Sequence, residues 1–195
     1  MLDAARYYLA LVAVCTYPFA FLYWFLVHPF ISFWRQRGPT TTCVTLGLVF
    51  VATVALTWSV RSELLAEEYG TSPWLLIGAA VAYSLATWVE LRCRRHLKFS
   101  TLVGMPELRP DGGGPGLLTE GIYARVRHPR YVSIFFGALA VALFCDYLAT
   151  WVLAAATIPG LLALVHFEET ELVARFGDEY RDYARRVPRF VPRRS

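Results

Sequence analysis

Charge is scarce in this sequence. Only 17% of its 195 residues are Asp, Glu, Lys or Arg, whereas a soluble domain carries about 25% to keep its surface hydrated. A chain that is 56% hydrophobic cannot clothe a water-facing globule, and it has apolar length enough to fill a bilayer several times. The mean hydropathy of +0.43 agrees.

Other absences narrow the reading further. No small-residue cleavage pattern follows the first apolar run, which begins near Tyr7 and continues past Trp24, so it reads as a retained helix and not a leader. No C-x-x-C occurs among Cys15, Cys43, Cys93 and Cys145; neither a zinc site nor a redox pair is signalled, and buried thiols remain. The phosphate-cradling spacings G-x-G-x-x-G and G-x-x-x-x-G-K-[ST] are missing, so Asp111-Gly112-Gly113-Gly114-Pro115-Gly116 reads as a turn. The net charge of +4 could suggest a nucleic-acid partner. The basic residues instead flank the apolar runs, where they act as orientation signals, and no nucleic acid is expected.

What is present is a series of five apolar segments, near 7–33, 43–60, 74–91, 131–145 and 148–167. They predict an all-α integral membrane protein of about five transmembrane helices. The first segment is long and aromatic, bent or tilted if Pro18 and Pro29 are helical. The fourth is short for a span of about 20 residues. Only Asp146-Tyr147 separates it from the fifth, which predicts an antiparallel C-terminal hairpin. Arg35, Arg37, Arg92, Arg94, Arg95, Lys98, Arg125, Arg127 and Arg130 collect on one side, and the loop after the second segment is acidic on balance. Excess Lys and Arg mark the cytoplasmic face, so the expected N-terminus is outside and the C-terminus cytoplasmic.

Polar chemistry concentrates in the stretch 92–130 and in the tail 168–195. Around the mouth of the fourth span lie Tyr123, Arg125, Arg127, His128, Pro129, Arg130 and Tyr131. Proline suits the first turn of a helix, where its missing amide donor costs nothing, and the helix start favours an anionic group. The same residues also fit an interfacial aromatic and basic belt. Glu168 and Glu169 stand at the end of the fifth span, against the basic trend. Such carboxylates either hold a cation or neutralise Arg125 or Arg127 across the hairpin. Residues 176–183 read as a short amphipathic helix ended by Pro188 and Pro192, with Arg185, Arg186, Arg189, Arg193 and Arg194 beside lipid headgroups.

Four motifs in order carry a resemblance: Gly121-Ile122-Tyr123, Arg127-His128-Pro129-Arg130-Tyr131, Glu168-Glu169, and Phe176-Gly177-Asp178-Glu179-Tyr180-Arg181-Asp182-Tyr183 with Val187-Pro188. Together they resemble the integral membrane methyltransferases that include isoprenylcysteine carboxyl methyltransferase and the phospholipid N-methyltransferases. The resemblance implies S-adenosylmethionine as methyl donor, held in a cytoplasmic pocket beside the membrane, and a lipidic or lipid-anchored acceptor. It implies that Tyr123, His128, Pro129, Arg130, Tyr131 and Glu168 line the cofactor pocket, with Pro115, Gly116, Leu117 and Leu118 adding backbone contacts. Glu169 and Arg127 become the catalytic candidates, with Glu169 or His166 as base where the acceptor arrives protonated. Residues 1–91 then form three N-terminal spans and residues 92–195 the catalytic region. The location implied is the cytoplasmic membrane in a bacterium or the endoplasmic reticulum in a eukaryote.

Two positions depart from the family pattern. Ser133 stands where glycine is common, and Leu164 stands where the carboxyl methyltransferases carry an arginine toward the substrate carboxylate. A nicotinamide-dependent reductase of the sterol reductase type and a non-catalytic membrane scaffold remain the alternatives from other classes.

Overall fold

A computed structural model describes residues 1–27, 30–95 and 116–192. Four helices are long and apolar enough to cross a membrane, and a fifth apolar helix of 17 residues is shorter. In chain order they are α1 (Leu2–Val27), α2 (Ile31–Ser59), the single turn α3 (Arg61–Leu64), α4 (Pro73–Arg94), α5 (Pro129–Cys145), α6 (Leu148–Phe176) and the tail helix α7 (Asp178–Arg186). A 3-10 turn, Gly121–Ala124, precedes α5.

Several expected boundaries move. The run 7–33 is two helices, because α1 ends at Val27 and α2 begins at Ile31. Pro18 lies inside α1, while Pro29 falls outside the described residues. The second segment starts well before residue 43. Its backbone breaks at Gly38 (φ 79°, ψ 163°), a left-handed φ that glycine alone adopts freely. The fifth helix does not stop near residue 167 but continues to Phe176, and the tail helix is displaced to Asp178–Arg186.

The hairpin forms as the short connection requires. Asp146 takes a left-handed conformation (φ 54°) that ends α5, and the Tyr147 amide donates to Thr150 Oγ1 at 3.3 Å to open α6. α4 makes the most extensive packing in the fold, against α5. Its buried face is Ala79, Ala82, Ala86, Val89 and Cys93; across to α5, Gly78 faces Leu143 and Glu90 meets Ser133, while Ala138, Ala142 and Cys145 turn toward α1 and α6. Small side chains let two backbones approach closely where lipid offers no hydrophobic drive toward association. The opposite, outer faces are apolar and exposed, as with Val81, Leu85 and Trp88 on α4. Surfaces like these suit the acyl chains of a bilayer.

One buried arginine closes the end of the bundle away from the basic clusters. Arg6 of α1 is 1% exposed. It pairs with Glu68 at 2.7 Å and donates to the carbonyls of Gly70 at 2.5 Å and Cys145 at 2.8 Å. One guanidinium thus joins α1, the loop before α4 and the end of α5. In the sequence only Asp3, three residues before it and 3.2 Å from Nη1, is legible as a partner; nothing announces Glu68, Gly70 or Cys145.

Candidate active site

At the other end of the hairpin, His128 is the residue around which the polar groups gather. It occupies the position just before α5, and Pro129 opens the helix. The backbone of the chain's tail lies against it: the Arg127 amide donates to the Pro188 carbonyl at 2.9 Å, and the His128 amide to the Arg189 carbonyl at 3.0 Å. The imidazole is thereby buried. Its Nε2 lies 3.1 Å from Glu169 Oε1 and its Nδ1 3.3 Å from Glu168 Oε2. Tyr131 stacks on the ring with centroids 5.7 Å apart, and Phe190 approaches from the tail at 6.2 Å.

This placement depends on the length of α6. Because the helix runs on past the apolar segment, Glu168 and Glu169 project from ordered backbone beside the start of α5. Burial by itself disfavours the imidazolium, but the hydrogen bonds and charges of Glu168 and Glu169 outweigh it, so the His128 pKa is raised above the ordinary histidine value.

The two carboxylates differ. Glu169 is 13% exposed and takes three partners: Arg127 Nη1 at 3.1 Å, His128 Nε2 at 3.1 Å and Arg189 Nη2 at 2.6 Å. Of the two expected neutralising arginines, Arg127 pairs with it and Arg125 does not. Glu168 is the more open, at 35%. Beneath Glu169, Arg127 Nε and the Tyr180 hydroxyl are buried and make no hydrogen bond of normal geometry with the described residues. Each nevertheless lies within electrostatic reach of the other. Burial first, then the charge of Glu169, pushes the Tyr180 phenol up, so it stays a neutral donor.

The remaining expected residues fall into layers around this centre. Arg130 stacks over Trp24 of α1 with its guanidinium carbon 5.7 Å from the ring centroid. Tyr123 is buried against Val89 and Cys93 of α4, and its carbonyl accepts from the Tyr183 hydroxyl at 2.7 Å. It anchors the tail helix to the 3-10 turn one layer behind His128. Leu117 packs on Tyr180, Tyr183 and Val187, and Leu118 on the Tyr123 cluster. Gly116 is exposed, and Pro115 lies outside the described residues.

Both departures from the family pattern have a visible setting. The Ser133 hydroxyl donates to the Arg130 carbonyl at 2.9 Å and reaches Glu90 Oε2 of α4 at 3.4 Å, filling with a polar link the space glycine would leave. Leu164 is 2% exposed, packed with Tyr131, Leu161 and Val165 and flanked by Trp24, Phe135 and Phe190. The wall one turn before Glu168 is therefore apolar.

Sequence reasoning missed Trp24, Arg189 and Phe190. Arg189, expected among the headgroup-facing arginines, turns back to Glu169. Nothing in its linear context distinguishes it from Arg185 or Arg186. Arg193 and Arg194 lie outside the described residues.

A family model described as phospholipid methyltransferase matches residues 74–179, which runs from the start of α4 through the beginning of α7. Among curated proteins, the chain is 36% identical over 77 residues to a protein-S-isoprenylcysteine O-methyltransferase of Schizosaccharomyces pombe, covering 39% of this chain and 33% of that protein. It is 31% identical over 130 residues to methanethiol S-methyltransferase 2 of Bradyrhizobium diazoefficiens, covering 65% and 49%. It is 35% identical over 128 residues to the cobalt-zinc-cadmium resistance protein CzcN of Cupriavidus metallidurans, covering 64% and 52%. The chain thus spans between a third and about half the length of these relatives. No solved structure matches it significantly.

Proposed function

Because the chain belongs to the phospholipid methyltransferase family, we propose that it transfers a methyl group from S-adenosylmethionine to a lipidic or membrane-embedded acceptor. The observation that carries the reading is His128 held between two adjacent carboxylates, with Tyr131 and Phe190 on its ring and two buried polar atoms beneath.

The donor bears a sulfonium, an ammonium and a carboxylate, and the chemistry of this cluster suits all three. Glu168, the more open carboxylate, would meet the ammonium, and aromatic faces favour the sulfonium. The carboxylate would be received by Arg127, Tyr180 and the start of α5, where Arg127 Nε and the Tyr180 hydroxyl are buried without a hydrogen bond of normal geometry to the described residues. Arg130, Pro129 and Tyr131 would line the same pocket, with Gly116, Leu117 and Leu118 beyond and Tyr123 holding the turn behind them. When bound, S-adenosylmethionine supplies an electrophilic methyl group.

The chain's contribution to such a displacement is alignment and exclusion of water. Glu169, already committed to Arg127, His128 and Arg189, acts in this reading as the positioning residue of the cluster and not as a free base. His128, whose imidazolium is favoured by its two carboxylates, holds the donor end of the site rather than serving as a base. His166 is exposed on α6. An acceptor that arrives as a neutral nucleophile or as an anion needs no base. The apolar wall of Leu164, Leu161 and Phe135 suits the hydrocarbon part of an acceptor entering from the bilayer. Residues 92–195 carry the reaction, and the spans of 1–91 lend Trp24 and Glu90 to its border. The basic ends of the helices support a site facing the cytoplasm and an N-terminus outside.

Calorimetric titration of S-adenosylmethionine into detergent-purified protein tests the reading. Saturable binding that Glu168→Ala and His128→Ala each weaken by about tenfold or more supports it. Binding of a reduced nicotinamide in its place, or of neither, overturns it.

A further inference from the structure

A second feature lies on the far side of the 3-10 turn from Tyr123. An open cleft of about 370 Å3 is lined by Trp88, Arg92, Arg95, Gly121, Ile122 and Arg125. Three guanidiniums share it, and none of them pairs with a carboxylate of the described residues. Arg92 instead lies over the Trp88 ring, its guanidinium carbon 5.2 Å from the centroid. All three are exposed, and together they give the cleft a positive potential that draws an anion.

The helix leading to the cleft indicates which anion. Val81, Leu85, Trp88, Arg92 and Arg95 recur at spacings of four, three, four and three, one stripe of α4 and its immediate C-terminal end. The stripe is exposed and faces away from Ala79, Ala82, Ala86, Val89 and Cys93, which bury against the bundle. Its first three members are apolar and its last two cationic. From Val81 to Arg92 the helix rises about 16 Å, close to the ~15 Å depth of one leaflet's hydrocarbon. An acyl chain lying along Val81 and Leu85 therefore brings its phosphate level with Arg92, Arg95 and Arg125, with Trp88 at the interface between the two.

We propose that this cleft is a binding site for the phosphate of an anionic phospholipid, separate from the His128 cluster. The planar forks of the arginines match phosphate oxygens in pairs, and the glycine at 121 leaves the turn's backbone open to the ligand. The site holds whichever face of the membrane it occupies, and it does not depend on the methyl-transfer reading.

Native mass spectrometry of the full chain, released from nanodiscs of mixed phosphatidylglycerol and phosphatidylcholine, tests it. The wild type retains one phosphatidylglycerol in preference to phosphatidylcholine. Arg92→Gln and Arg125→Gln each lower that retention by about fivefold, the factor expected for one basic residue at an anionic surface. Arg37→Gln, which removes the same charge elsewhere, leaves it unchanged, and thermal unfolding confirms that each variant is folded. Equal loss with Arg37→Gln reduces the cleft to part of a diffuse basic belt and overturns the proposal. So does equal retention of phosphatidylcholine, or displacement of the lipid by millimolar inorganic phosphate, which would assign the cleft to a soluble anion.

Discussion

Glu169 and Arg189 meet as a two-pronged ion pair. Arg189 donates through Nε to the two carboxylate oxygens at 3.2 and 3.1 Å, and through Nη2 to Oε2 at 2.6 Å. The pair crosses from α6 to the chain's tail and holds the stretch whose Pro188 and Arg189 carbonyls accept hydrogen bonds from Arg127 and His128. Arg189 is half exposed, so solvent screens the pair, and Arg189→Ala is expected to cost only about 1 kcal/mol of global stability. Its local effect is larger: the Arg127 and His128 amides should exchange hydrogen markedly faster. Glu169→Gln strands the nearly buried Arg127 without its counter-charge and should cost about 3 kcal/mol. Unchanged exchange at residues 127 and 128 in Arg189→Ala would show that the tail is held by other contacts.

His128 makes the cluster pH-dependent in a defined direction. Its pKa in the folded protein lies above the unfolded value, because the gain from Glu168 and Glu169 exceeds the cost of burial. The stabilisation is therefore fully present below the ordinary histidine value and is lost as pH rises through the elevated folded value. Thermal unfolding of wild type and His128→Gln, compared from about pH 5 to about pH 9 across the histidine range, should show a gap that narrows on the alkaline side. A gap that widens with pH contradicts the assignment.

Arg6 gives a control at the opposite end. α5 has 17 residues, so its two ends lie about 25 Å apart. Arg6→Met removes the links to Glu68, Gly70 and Cys145, leaves buried acceptors unmet, and should cost about 3 kcal/mol. Measured under conditions where the protein remains folded, S-adenosylmethionine affinity should stay within about twofold of wild type, a factor worth ~0.4 kcal/mol.

Where α1 crosses α6, the contact is tight at a single glycine. A Cβ added at Gly160 would sit 2.7 Å from Phe21 Cε1. Gly160→Ala should therefore destabilise by about 1–2 kcal/mol, with the ring forced aside. Phe21→Leu in the same chain should recover part of the loss. Additive costs in the double variant would show that the two residues do not press on each other.

Much of the architecture was legible because apolar length and basic flanks are local properties of a chain in lipid. Segments 74–91, 131–145 and 148–167 each lie within an observed helix, and Asp146-Tyr147 forms the expected turn. The boundaries that moved did so for local reasons as well. Val27 and Ile31 bound two helices inside a run that averaged hydropathy reads as one, although His28-Pro29 stands in the sequence between them. The extension to Phe176 is polar helix beyond the membrane, where hydropathy falls silent although the backbone hydrogen bonds continue.

The candidate site was legible only as a set of names. The sequence by itself determined that His128, Glu168 and Glu169 sit at the ends of neighbouring helices, since the hairpin connection is too short for any other arrangement. The tertiary structure alone decided that Glu169 is saturated while Glu168 stays open, that Arg189 turns inward while Arg185 and Arg186 face out, and that Tyr123 braces the turn. It alone brought Arg6 onto three separate elements. The physical reason is the same in each case. A charged side chain takes its role from the partners within a few ångströms, and those arrive from residues 20 to 139 positions away, a distance that no linear pattern encodes.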